Sequence, residues 1–147
     1  MSARLRVCVV ALAVAAAGCG GGGATETPKG AAETLKSLSY TGVETRSAGR
    51  LQQLYAGSDV GRLVRRHTEG AVVGHHVAAG EDLAVVLWIY DSEQIAKQAL
   101  PYTRAQNRDA PDPHSVARVG NVVVFFTPAT KKTAKARQQL QRALISS

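Results

Sequence analysis

Hydrophobic residues fall into a series of distinct patterns along the chain. Val7 to Ala17 is an unbroken apolar stretch, and Gly20 to Gly30 carries no periodicity at all. Leu35 and Leu38 predict a short helical lead-in that ends before Gly42. Ser47 is placed to cap a helix with Leu51, Leu54 and Tyr55 on one side, closed by Gly57. Asp59 caps a second, in which Val60, Leu63, Val64 and His67 recur at helical spacing; a strand over 62–67 is the competing reading. Ala71 to Ala78 and Leu83 to Tyr90 then read as a hairpin across Ala79-Gly80-Glu81-Asp82. In the second run Leu83, Val85, Leu87 and Ile89 point one way, and Ala84, Val86, Trp88 and Tyr90 the other. A strand apolar on both sides belongs in the middle of a sheet.

Asp91 or Ser92 caps the next helix, whose Ile95, Ala99 and Tyr102 line one face, and Pro101 should kink or stop it near Leu100. Residues 107–114, with Pro-flanked aspartates, read as a loop. Ser115 to Val119 and Val122 to Phe126 make a second hairpin over a Gly120-Asn121 turn suited to positive φ. A last helix starts at Thr127-Pro128 or at Thr130. Its buried stripe is Ala136, Leu140, Ala143 and Leu144, with Lys131, Lys132, Lys135, Gln138, Gln141 and Arg142 facing water. Two ββα units of this kind imply a single α+β domain over residues 34–147, with a mainly antiparallel sheet of about four strands and helices packed on it. Both sheet faces then need cover. Helices are the ordinary answer; a partner copy or an apolar ligand on one face are the alternatives.

The N-terminus has its own logic. Arg4 and Arg6 precede the apolar stretch, and Ala16-Ala17-Gly18-Cys19 follows it, in the order of an export signal. Eleven apolar residues are about half of the roughly 20 that span a bilayer. The segment Ala16-Ala17-Gly18-Cys19 resembles the lipobox of bacterial lipoproteins, although Ala16 stands where that family usually has leucine. The resemblance implies that residues 1–18 are a signal peptide and that Cys19 becomes the first mature residue. Its sulfur would carry a diacylglycerol, and the chain would sit on the extracytoplasmic side of the cell membrane with palmitate-type anchoring. An ordinary secretory cut near Cys19 is the alternative. Residues 19–33 then form a flexible Gly-rich tether.

At 147 residues there is room for one domain. The two cysteines are Cys8, inside the signal, and Cys19. A lipidated Cys19 leaves no thiol for disulfides, zinc or catalysis. Loss of Arg4 and Arg6 lowers the net charge from +7 to +5, a mild attraction towards anionic headgroups or cell-wall polymers. An exported domain without an aromatic-studded basic stripe is not a nucleic-acid binder.

Candidate chemistry is sparse. His75 and His76 are neighbours on a strand and face opposite ways. His67 and one of that pair, His76 in particular, could converge with Asp112 or His114 on a ligand or metal, but no spacing demands it, and no cofactor is implied. Asp109 and Asp112 lack the alternating acids of a calcium loop. No nucleophile elbow is present. Arg65-Arg66 is the densest basic spot, and Trp88 with Tyr90 reads as core packing before it reads as a pocket. The pattern points to a membrane-anchored, non-catalytic binding or accessory domain of the cell envelope. Its partners would be the bilayer through Cys19 and an envelope protein, or a second copy through a sheet face. A small envelope hydrolase and a carrier of an apolar ligand are the alternatives.

Overall fold

The computed structural model describes residues 25–49, 59–106 and 113–146. Among these, α1 (Pro28–Ser37) leads into β1 (Thr41–Ser47), α2 (Asp59–His67), β2 (Thr68–Ala78), β3 (Glu81–Tyr90), α3 (Glu93–Gln106), a single 3-10 turn (Pro113–Ser115), β4 (Val116–Val119), β5 (Val122–Thr127) and α4 (Ala134–Ser146). The five strands form one antiparallel sheet in the order β1-β2-β3-β5-β4. The domain is α+β with β3 at its centre.

Period-two alternation in β3 sorts the core into two clusters. Leu83, Val85, Leu87 and Ile89 join Val72, Val122, Val124 and Phe126 on one face, under Leu35 of α1 and Ala136, Leu140 and Leu144 of α4. Trp88 and Tyr90 join Ala71 and Val123 on the other, under Val64 of α2 and Ala96 and Ala99 of α3. Helices therefore supply the cover on both sides. On the second face they reach only half-way. Towards the β2–β3 turn Val73, Val86 and Phe125 are half-buried, and Val77 is 72% exposed.

α1 starts at Pro28, inside the segment read from sequence as tether. Thr27 caps it by accepting from the Gly30 amide at 3.1 Å, and proline takes the first turn, where its missing N–H costs nothing. The helix lies close on β2 because Gly74 has no side chain. A Cβ there would come within 3.2 Å of Leu35 Cδ1. β1 adds a fifth strand to the four expected. Its sequence, TGVETRS, is exposed and polar because it is an edge strand, and a bulge between Thr41 and Glu44 interrupts its register.

α2 is helical as read, and the strand alternative over 62–67 does not hold. The β2–β3 connection shrinks to two residues, Ala79 and Gly80, both at positive φ (49° and 79°), the twist-matched geometry of a tight hairpin. Ser92 caps α3, accepting from the Ile95 amide at 3.3 Å. Pro101 does not end this helix. It sits on the solvent side, α3 runs on to Gln106, and the buried face is Ala96, Ala99 and Thr103, leaving Tyr102 41% exposed. In the β4–β5 turn only Gly120 takes positive φ (54°). α4 begins at Ala134, later than either expected start, because Thr130 and Thr133 first exchange side-chain-to-backbone bonds. The helix that Ser47 was expected to cap, with Leu51, Leu54 and Tyr55, lies outside the described residues.

Candidate functional site

The Asp59–His67 helix ends where β2 begins, which brings His67 beside Asp91 at the far end of β3. The Asp91 amide donates to the His67 carbonyl at 2.8 Å, and His67 Nδ1 lies 3.0 Å from an Asp91 carboxylate oxygen. A carboxylate only accepts, so Nδ1 carries the hydrogen in this contact. The pair borders an open groove of about 460 Å3 with Arg62, Arg66 and Tyr102. Arg62 pairs with Asp59, so both it and His67 already face carboxylates.

The other histidines are elsewhere. His76 stacks on Tyr40 with ring centroids 4.8 Å apart, on the face opposite His75, whose Nδ1 lies 3.8 Å from Asp82. Nine residues of strand, roughly 30 Å, separate His67 from His76, so the two cannot share a ligand. His114 stands at the opposite edge of the sheet, beside β4. Among the described residues no three His, Cys, Asp or Glu side chains come together as a metal site. Cys19, Asp109 and Asp112 lie outside the described residues. Trp88 and Tyr90 are core residues, 7% and 0% exposed.

The larger concavity, about 580 Å3, runs along the free edge of β4. Its floor is Val116 and Ala117, with α3 on one side and α4 on the other. Arg104 comes from α3, Arg118 from β4, and Arg137, Gln138 and Gln141 from α4; His114 closes one end. Arg118 Nη1 meets Glu93 at 2.8 Å and donates to the Gly120 carbonyl at 2.9 Å. Among the described residues Arg104 has no ion-pair partner.

Arg137 is the unusual member. It is 8% exposed, on the buried stripe of α4 with Ala136, Leu140 and Leu144. Its two terminal nitrogens donate to the carbonyls of His114 (3.2 Å) and Thr130 (2.9 Å), and its Nε–H has no acceptor. A guanidinium held by neutral carbonyls is fixed in place without being neutralised. Burial of such a charge is expensive unless an anion joins it. The first turn of α4 begins at Ala134, on the same cleft, and adds the positive end of a helix. Sequence reading missed Arg137 because arginine is scored as polar. Its place at i, i+1, i+4 from Ala136 and Leu140 was the available signal.

A third feature fixes where the chain enters the domain. Asn121 is 3% exposed. Its Nδ2 donates to the carbonyls of Glu26 (2.8 Å) and Tyr90 (2.7 Å), and its Oδ1 accepts from the Glu26 amide at 2.9 Å. The segment before α1 is thereby clamped to the β4–β5 turn, next to Arg118.

Protein-family models, curated proteins and solved structures contain no match to this chain.

Proposed function

We propose that this chain is an extracytoplasmic lipoprotein, anchored through acyl chains on Cys19, whose domain binds a ligand or partner in the cleft between α3, β4 and α4. The binding part is carried by one observation: a buried, un-neutralised Arg137 in an open cleft with Arg104 and Arg118. The anchoring part is supported by Ala16-Ala17-Gly18-Cys19 and the Gly-rich residues after it. Among the described residues no helix is long and apolar enough to cross a membrane. Labelled palmitate and membrane fractionation test the anchor: Cys19→Ser should abolish label uptake. Unchanged uptake and partitioning would overturn it. Crosslinking in native membranes tests the binding role, with Arg104→Glu expected to remove the crosslinked species.

The His67–Asp91 pair beside Tyr102 favours a second reading, a small envelope hydrolase with His67 as general base. A hydrolase substrate panel run on the wild type and on His67→Ala separates the two. Turnover lost in the variant would support catalysis.

A further inference from the structure

We infer that the cleft along β4 is a binding site for a phosphate oxyanion, seated on Arg137 and gripped by Arg104 and Arg118. The inference rests on the binding reading above and names its ligand class. Three guanidinium groups carry three positive charges there, and Glu93 on Arg118 offsets one. Two remain, together with the amide end of α4. A phosphate monoester carries a charge of about −1.5 to −2 and three acceptor oxygens. Arg104 brings its whole fork, and Arg118 and Arg137 bring the N–H bonds not spent on Glu93, Gly120, His114 and Thr130; donors arriving from three separate elements suit a tetrahedral anion. A planar carboxylate is saturated by one fork. Gln138 and Gln141 add neutral amides for the substituent the phosphate carries.

Such a phosphate has two sources, a soluble phosphorylated molecule or the headgroup of a phospholipid. The clamp at Asn121 bears on the second. Cys19 precedes Glu26 by seven residues, a reach of at most about 25 Å. Arg118 donates to Gly120, the residue next to that clamp. The cleft therefore opens within reach of the headgroups to which a lipidated Cys19 would hold the chain.

The test is calorimetric titration of the full chain, purified in neutral detergent, with inorganic phosphate against chloride at matched ionic strength. One saturable site with millimolar affinity is expected. Arg104→Gln, on an exposed position that leaves the core intact, should weaken it about tenfold, the size of one lost charge-assisted bond. Arg137→Lys keeps the charge but not the fork and should abolish binding; should that variant not fold, Arg104→Gln decides alone. Lys36→Gln on α1, outside the cleft, should change nothing. No saturable heat, or an equal loss in Arg104→Gln and Lys36→Gln, overturns the inference. Phosphatidylglycerol in mixed micelles that displaces inorganic phosphate assigns the site to a headgroup. Phosphate binding unaffected by that lipid assigns it to a soluble phosphorylated ligand. A partner crosslinked at Arg104 without phosphate binding would leave the binding reading standing and remove this one.

Discussion

Tyr40 packs its ring under α1 and against His76, and its hydroxyl is buried with no hydrogen-bond partner. Removing that oxygen by Tyr40→Phe keeps the ring contacts and deletes a desolvated polar group, which costs about 1–3 kcal/mol when unpaired. At pH 7 the variant should therefore be more stable than the wild type by about 1 kcal/mol. The same burial pushes the phenol up to about 12 from its ordinary 10.0. The unfolded chain releases this proton near pH 10, while the folded chain holds it until about 12. The wild type's stability is thus untouched by this titration below pH 10 and falls as pH rises towards 12. At about 1.4 kcal/mol per unit, the stability lost to this one group by pH 12 is about 2 kcal/mol. Tyr40→Phe has nothing to ionise, so the gap between the two proteins should widen from about 1 kcal/mol at pH 9 to about 3 kcal/mol at pH 12. Trp88, the single tryptophan and a core residue, reports unfolding by fluorescence in urea. A variant no more stable at pH 7, or a gap that stays constant through the alkaline range, would refute the argument.

Other substitutions probe other parts of the frame. Asn121→Ala removes three hydrogen bonds, one from the Glu26 amide and two to the Glu26 and Tyr90 carbonyls, and should cost about 3 kcal/mol in the same urea titration. Ala79 holds φ at 49°, which an L-alanine adopts with strain; Ala79→Asn, better suited to that region, should raise stability by about 1 kcal/mol in thermal unfolding. The His67–Asp91 pair is about half exposed, so His67→Gln should change stability by less than about 1 kcal/mol, and added salt should shrink the difference further. A loss of several kcal/mol would mean that the pair is structural.

The two hairpins were legible because β3 and β5 are covered on both sides and read as continuous apolar runs, and α2 because Val60, Leu63, Val64 and His67 recur at helical spacing. Elements at the margins were not. β1 is polar because one side of it meets water and, among the described residues, no strand lies beyond it. The end of α1, with Leu35, was expected; its start at Thr27-Pro28 was hidden by glycines on either side. Pro101 and Tyr102 misled because a proline facing solvent forfeits one bond without ending the helix, and the buried face is Ala96, Ala99 and Thr103. The cleft was illegible for a different reason. Arg104, Arg118 and Arg137 come from three elements, and only the order β3-β5-β4 with helices on both faces brings them to one edge. Asn121 meets Glu26 across 95 positions of chain, a distance at which pattern carries no information.

The two outer strands have a consequence for crowding. Domains held at high local density and in similar orientations are prone to strand-to-strand fusion of neighbouring sheets. β4 offers only four residues for such a seam, and α3 and α4 rise on either side of it. β1 offers seven, but its bulge and the charged Glu44 and Arg46 make it a poor template for a second backbone. The sheet thus ends in borders that resist zipping, and a crowded population of these domains can stay separate and diffusible.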